Sequence, residues 1–254
     1  MKLDELGETL RIYETAGDRV VLPGLFMVAR LDGRGFTRLT KEVCEFEKPF
    51  DVRFRDVMVE TTKQLMTGGF GVVYGYTQSD EISLLMPADE PAFGRNVRKL
   101  ISVLAGEASA RLSVQLGKPA AFDCRISELP TKALVRDYFR WRNEDAARNA
   151  LNGHCYWALR GRGESARQAT SQLERLTVAQ KNELLFTLGT NFNALPSWQK
   201  RGVGVFWKDV TIDAMNPLTG QAVAAERRRL TVDYELPMRN AYSDFIEQFV
   251  SPER

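Results

Sequence analysis

Short apolar segments and amphipathic segments alternate along the first half of the chain. Four runs of apolar, aromatic and β-branched residues have the length and composition of strands: 24–31, 70–77, 82–87 and 121–129. The first run leads directly into Asp32-Gly33, a pair typical of turns, and Pro130 ends the last run. Only residues 78–81 separate the second run from the third, which predicts a β-hairpin.

Two longer segments between these strands repeat apolar residues at helical spacing. The first repeat comprises Phe54, Val57, Met58, Thr61 and Leu65, and the second comprises Val97, Leu100, Ile101, Leu104, Ala108 and Leu112. Asp51 can cap the first helix and Gly68-Gly69 can end it, whereas the second helix ends near Gly117. The order strand, helix, strand, strand, helix, strand predicts an α+β fold with a ferredoxin-like βαββαβ core.

Beyond Pro130 the pattern becomes helical and then returns to strands. We expect helices from Thr131 through Arg142, from there to about Arg160, and over residues 173–189, with a break at 161–163. Strands are predicted at 202–210 and 228–236, followed by an amphipathic helix near 239–250. No flexible linker separates the halves, so we divide the chain into a core, 1–130, and a second unit, 131–254, packed against it.

Charge and cysteine content disfavour several classes of protein. With 35 basic and 33 acidic residues among 254, the net charge is only +2, so binding to nucleic acid must depend on a local basic patch. Cys44, Cys124 and Cys155 form no Cys-x-x-Cys pair and His154 is the only histidine, which disfavours disulfide frameworks and zinc sites. The N-terminal residues are acidic and no apolar run approaches about 20 residues, so we expect a cytoplasmic protein outside membranes.

Two acidic residues stand where the predicted strands end. Asp32 ends the first strand and Asp80 occupies the tip of the hairpin. In a ferredoxin-like sheet the first strand pairs with the strand that leaves this hairpin, so the two carboxylates should meet at one edge. Paired carboxylates suit Mg²⁺ when phosphates complete its coordination, and two such ions can clamp both oxygens of a phosphoryl displacement. Glu81 would add negative charge or orient the ligands from behind.

The residues after Asp32 suit a phosphate chain. Gly33 and Gly35 allow backbone N–H groups to approach phosphate oxygens, and Arg34 can offer a fork of donors to them. Each feature alone is also an ordinary structural element, since Asp-Gly is a common turn and Ser-Asp-Glu suits an exposed hairpin tip. Together, at the two sheet positions where palm-type enzymes keep their metals, they favour a catalytic site.

Five segments of the chain together resemble one known family. They are ARLDGRGFTRLT (29–40), YGYTQSDEISLLM (74–86), FDCRISELPT (122–131), YFRWRNEDAARNALNGHCYWAL (138–159) and QKNELLFTLGTNFNALPSWQKRGVGVFW (180–207). In order and spacing they are similar to the signature segments of the tRNA-His guanylyltransferase family, the 3′–5′ polymerases. The resemblance covers about residues 24–208.

The resemblance implies a polymerase-palm catalytic core in which ATP or GTP activates the 5′ end of an RNA. The 3′-hydroxyl of an incoming nucleotide then attacks that end, and pyrophosphate is released in the course of the reaction. Two Mg²⁺ ions would be held by Asp32, the Gly33 carbonyl and Asp80, and the catalytic carboxylates would be Asp32, Asp80 and Glu81. ATP, GTP or another nucleoside triphosphate would be held by Asp32, Gly33, Arg34, Gly35, Phe36, Thr37, Lys48, Ser79 and Asp80. The chain is one residue longer than typical members near Lys48.

The same resemblance implies a tRNA partner and a homotetramer, with the helical half binding RNA. Arginines interleaved with aromatic residues suit phosphate contact and stacking on an unpaired end. The alternative for each arginine is a solvated helix face. The residues we expect to contact RNA are Arg140, Arg142, Asn149, Lys181, Asn182 and Asn191.

One segment departs from the family pattern. Enzymes that act on tRNA-His carry HINNLYN after the Trp-Arg pair, whereas here residues 147–153 read ARNALNG. Ala147 replaces the histidine, and only Asn149 and Leu151 are retained. In this the chain resembles the guanylyltransferase-like proteins of bacteria and archaea, which implies template-dependent repair of tRNA 5′ ends. His154 lies two helical turns further on and is expected to pack beside Tyr156 and Trp157 instead of substituting.

Three alternatives stay open. The first is a dedicated tRNA-His guanylyltransferase that adds a single 5′ G. The second is a palm-type nucleotidyl or diguanylate cyclase, although the long helical block and the lack of a Gly-Gly-Asp-Glu-Phe hairpin argue against it. The third is a catalytically silent tRNA-binding protein, which gains nothing from a pair of buried carboxylates such as Asp32 and Asp80.

Overall fold

An antiparallel β-sheet organises the protein. The computed structural model describes residues 3–215 and 222–250, and these form a six-stranded antiparallel sheet in the order β4-β1-β3-β2-β5-β6. The strands are β1 (Phe26–Gly33), β2 (Tyr74–Gln78), β3 (Glu81–Met86), β4 (Phe122–Leu129), β5 (Val203–Met215) and β6 (Ala222–Asp233). The first four strands have the predicted ferredoxin-like order, and the α+β fold is confirmed.

Helices cover both faces of this sheet. They are α1 (Leu3–Thr15), α2 (Phe36–Arg38), α3 (Val52–Thr67), α4 (Val97–Leu116), α5 (Lys132–Gly161), α6 (Ala166–Glu174), α7 (Val178–Thr187), α8 (Ser197–Arg201) and α9 (Arg239–Val250). A π-helical turn (Leu39–Val43) follows α2, and 3₁₀ turns occupy Ala92–Arg95 and Phe192–Ala194. As predicted, the Asp51 carboxylate accepts a hydrogen bond from the Arg53 N–H at 2.7 Å and caps α3. Among the described helices, none combines the length and the apolarity needed to cross a membrane.

Alternation along β1 and β3 divides the core into two layers. Met27, Ala29 and Leu31 face α3 and α4, whereas Val28 faces α5 and α9. The same period of two places Arg30 and Asp32 on the Val28 side. In β3, Ile82 and Leu84 join the α3 layer, whereas Leu85 joins the α5 layer, which puts Glu81 on the α5 side as well. Acidic and basic side chains at the end of the sheet therefore face α5.

The second half of the chain differs from the prediction at three points. The expected break after Arg142 is absent, because Arg142 and Asn143 have buried hydrogen-bond partners and α5 runs unbroken from Lys132 to Gly161. The expected helix over 173–189 is two helices, because Thr177 starts α7 with a capping box. The last two strands are longer than predicted, and β5 pairs with β2, so the sheet continues across residue 130.

Candidate active site

The end of β1 and the tip of the β2–β3 hairpin lie side by side. In the β1–β3 register Asp32 is paired with Glu81, and the Gly33 N–H donates a 3.0 Å hydrogen bond to the Asp80 carbonyl oxygen. Ser79 adopts a positive φ of 54° and lets the chain turn tightly before Asp80. The predicted convergence of Asp32 and Asp80 at one edge of the sheet is therefore present.

These two carboxylates form a pair of negative charges that is only partly compensated. Burial and the charges of Asp32 and Glu81 raise the pKa of Asp80. Within the described ranges, no lysine or arginine forms an ion pair with Asp80, and Arg30 Nη2 lies 3.7 Å from Asp32 Oδ1. Carboxylate and carbonyl oxygens that repel one another in this way fit a hard divalent cation such as Mg²⁺.

Glu81, by contrast, is fully compensated. Its carboxylate accepts hydrogen bonds from Arg142 Nε at 2.7 Å and Arg142 Nη2 at 2.9 Å, a bidentate arrangement. Arg30 Nη2 lies 2.6 Å from the same carboxylate. Of the two roles expected for Glu81, this geometry favours orienting the site from behind, because its oxygens are already occupied by guanidinium groups.

The placement of Arg142 corrects one expectation. Only 7% of this residue is exposed, and its guanidinium also donates to Asp145 at 3.2 Å. Arg142 therefore does not fit the solvent-facing RNA contact predicted for it. Arg140, which was also predicted to contact RNA, donates to Glu144 at 2.7 Å and to Asn240 of α9 at 3.3 Å.

The glycine turn after Asp32 requires small residues. A Cβ atom on Gly33 would lie 2.4–2.8 Å from the ring of Phe36, and Gly35 has a positive φ of 73°. The Phe36 ring is buried against Phe122 at a centroid distance of 5.0 Å. Arg34 is exposed at this turn.

A cleft of about 440 Å³ extends from the carboxylate pair to α5 and the loop before α3. The predicted nucleotide residues among its lining are Asp32, Phe36, Thr37, Lys48, Ser79 and Asp80. Lys48 thus shares the cleft with Asp32 and Asp80, and its Nζ lies 4.9 Å from the centroid of the Trp157 ring. A cleft of this size can enclose most of a nucleotide.

Several residues of the cleft were missed by sequence reasoning. Lys41 Nζ lies 5.2 Å from the Trp157 centroid, and the Arg55 guanidinium lies between Trp198 at 4.8 Å and Tyr234 at 4.7 Å. These contacts join segments far apart in the chain, and no local pattern marks them. The sequence alone indicates Trp157 only as a packing neighbour of His154.

Of the remaining predicted RNA residues, only Asn149 lines the cleft. Lys181 Nζ donates to Asn152 Oδ1 at 2.9 Å, and Asn182 Nδ2 donates to the Val178 carbonyl within α7. Asn191 Oδ1 accepts from the Asn193 N–H at 3.0 Å and caps the short turn there. These three residues lie outside the cleft lining.

The packing expected for His154 is present with different neighbours. Its ring lies 5.5 Å from Phe50 and 6.2 Å from Phe192, measured between centroids. Burial lowers its pKa, so the imidazole is held neutral. His154 is therefore a packed helix residue, as expected, although Tyr156 and Trp157 are not its partners.

Comparison with known proteins assigns both halves of the chain. A family model described as tRNAHis guanylyltransferase matches residues 7–130, and one described as Thg1 C terminal domain matches residues 133–246. The tRNA(His) guanylyltransferase of Debaryomyces hansenii is 33% identical over 199 residues, which cover 73% of this chain and 74% of that protein. A probable tRNA(His) guanylyltransferase of Bos taurus is 31% identical over 242 residues, covering 89% and 80%.

Solved structures agree with these matches. A bacterial tRNA(His) guanylyltransferase (Thg1)-like protein in complex with ATP superposes with a TM-score of 0.74 at 29% identity, covering 96% of this chain and 99% of that one. A bacterial protein of the same description in complex with GTP gives a TM-score of 0.72 at 27% identity, covering 97% and 99%.

Proposed function

The chain belongs to the tRNA(His) guanylyltransferase family of nucleotidyltransferases, and we propose that it adds nucleotides in the 3′–5′ direction to the 5′ end of tRNA. The observation that carries this proposal is the pair Asp32 and Asp80, which opens into a nucleotide-sized cleft and in which Asp80 has no ion-pair partner among the described residues. In this proposal residues 1–130 supply the catalytic site and residues 131–254 bind RNA. The tetramer implied by the resemblance and the cytoplasmic location expected from the sequence stay predictions.

Asp32, the Gly33 carbonyl and Asp80 would hold two Mg²⁺ ions. When bound, these ions neutralise phosphate oxygens and stabilise the charge that develops on them. Glu81 and Arg30 keep the strand ends in register behind the pair. Lys48 and Thr37 face the same cleft and can contact the triphosphate of ATP or GTP. Burial of this cleft against α5 strengthens each of these electrostatic contacts.

The reaction we propose has two stages. In the first stage the 5′-phosphate of the RNA attacks the α-phosphorus of ATP or GTP, and pyrophosphate leaves. In the second stage the 3′-hydroxyl of the incoming nucleotide attacks the phosphorus of the RNA 5′ end, and AMP or GMP leaves. Ala147 affects the choice of the added nucleotide, because dedicated tRNA-His enzymes carry a histidine at this position of α5. We therefore propose template-dependent repair, in which base pairing with the opposite strand aligns the incoming nucleotide.

The test of this choice is the rate of adding each of the four nucleotides to 5′-truncated tRNAs of several acceptor types. We expect the complementary nucleotide to be added about 100-fold faster than the others, because a mismatch displaces the attacking hydroxyl by about 1 Å. Full-length tRNA-His is the control substrate. A strong preference for one extra G on that tRNA, opposite a non-pairing base, would contradict repair and support the dedicated enzyme. Product formed from GTP or ATP alone would support a cyclase.

Lys48→Ala should raise the KM for ATP about ten-fold and leave RNA affinity nearly unchanged. The substitution removes a point charge from the triphosphate, and hydrogen bonds to charged groups are worth about 1.5–3 kcal/mol. Lys41→Ala is the matched control, because its ammonium lies beside the same Trp157 ring. Equal effects of the two substitutions on the KM for ATP would show that ATP binding depends on the total positive charge of the cleft and not on a specific contact with Lys48.

A further inference from the structure

Trp141 of α5 is a large aromatic residue left on the surface. It is 54% exposed, although tryptophan is highly buried on average. Its ring is nevertheless held in place. The ring of Tyr138 meets it edge-on at a centroid distance of 5.8 Å, and the Arg142 guanidinium lies 4.6 Å from its centroid. Because Glu81 fixes Arg142 by two hydrogen bonds, the ring is oriented before any ligand binds.

This ring lies on the flank of α5 that borders the cleft. With 3.6 residues per turn, a stripe along this flank is formed by Trp141, Asp145, Arg148 and Asn152. Asp145 lines the cleft, and so does Asn149 beside the stripe. Trp141 therefore stands one helical turn from a cleft residue, at the rim of the site.

The opposite flank of α5 has a different environment. Arg136 pairs with Glu247 of α9 at 3.0 Å, and Arg140 contacts Asn240 of the same helix. Positive charge on the cleft flank comes instead from Arg148, whose side chain is 70% exposed while it contacts Asp145. An RNA strand that reaches the cleft along Trp141 meets this guanidinium next.

We propose that Trp141 is a stacking site for an unpaired base of the RNA strand opposite the recessed 5′ end. The proposal rests on the proposed function, since template-dependent addition requires a single-stranded segment facing the incoming nucleotide. Every base offers a flat π face, so a tryptophan platform accepts any template sequence. Arg142 covers one side of the ring, and the exposed side receives the base.

A second protein chain is the competing occupant of this surface. Leu134 lies on the same flank, 44% exposed, and extends the apolar surface away from the cleft. The neighbours of Trp141 toward the cleft are charged or polar, namely Asp145, Arg148 and Asn152. This polarity favours a nucleic acid over an apolar protein contact. Leu134→Ala is therefore the matched control, because it reduces the exposed apolar surface of this flank and leaves the Trp141 ring unchanged.

The experiment compares two RNA hairpins by equilibrium binding to the full-length protein. In one, the 3′ strand extends past a recessed 5′ end, and in the other the ends are flush. Trp141→Ala should weaken binding of the recessed hairpin about ten-fold and leave the flush hairpin unchanged. Trp141→Phe should restore most of the loss, and Leu134→Ala should have no effect.

Three outcomes would overturn the stacking site. An equal loss on both hairpins would show that Trp141 acts through the fold or a general contact. A loss shared by Leu134→Ala, with a change in sedimentation, would assign the surface to a second copy. Unchanged affinity for the recessed hairpin would leave the ring without an RNA contact. Binding of the two hairpins is measured without nucleotide addition. The comparison therefore tests the stacking site even if the wild-type protein adds no nucleotide and the proposed function fails.

Discussion

Asp80→Asn is expected to abolish nucleotide addition at any Mg²⁺ concentration while the fold stays intact. The amide keeps the shape of the side chain but removes the charge that holds a cation. Because burial and the neighbouring charges of Asp32 and Glu81 disfavour ionised Asp80, the variant should be as stable as the wild type or more so. Asp32→Asn should likewise abolish nucleotide addition.

The control for this substitution is Asp123→Asn. Asp123 is paired with Asp32 across β1 and β4, yet it is exposed and outside the cleft lining. It should retain wild-type activity. Titration with Mn²⁺ should show weakened binding in the Asp80 and Asp32 variants only, whether or not RNA is present. Retention of more than a few per cent of wild-type activity by either variant would show that the metal assignment is wrong.

The core of the fold and the carboxylate pair were predictable because local patterns encode them. The apolar run of β1 stops at Asp32, and the β2–β3 hairpin leaves Asp80 at its tip. Once the ferredoxin-like order is recognised, the register of antiparallel neighbours brings the two together. Asp51 was likewise readable as a cap, since N-capping is a contact between near neighbours.

Other parts depend on contacts that no sequence window contains. Arg142 looked like a surface arginine because it lies in a polar run, but its partner Glu81 is 61 residues away. The same run suggested a helix break, and the buried hydrogen bond from Asn143 to the Arg201 carbonyl explains why α5 continues. Lys41 reaches Trp157 only because the loop before α3 packs on α5. At this contact a Cβ atom added to Gly153 would lie 3.7 Å from Pro49. Tertiary packing overrides local preference at each of these points.

Arg142→Met is expected to destabilise the protein by about 3 kcal/mol, near the lower end of the range for a broken buried ion pair. The substitution leaves the Glu81 carboxylate buried with Arg30 as its one close cation within residues 3–215 and 222–250. The Arg142 and Glu81 side chains are only 8% and 11% exposed, so water replaces the lost donors poorly. For a chain of this length the loss lowers the Tm by roughly 10 °C.

Urea denaturation of Arg142→Met, Glu81→Gln and the double variant should give a coupling energy on the order of 2 kcal/mol, because removing both charges relieves the uncompensated one. Arg140→Met is the matched control: it breaks an exposed pair with Glu144 on the same helix, and such pairs contribute less than about 1 kcal/mol. The salt dependence of RNA binding should be the same in Arg142→Met and wild type, since a guanidinium held by Glu81 and Asp145 neutralises no phosphate. Two results together would show that Arg142 contacts RNA after all. They are a log–log slope of RNA affinity against salt that is lower by about one, and a stability like that of Arg140→Met.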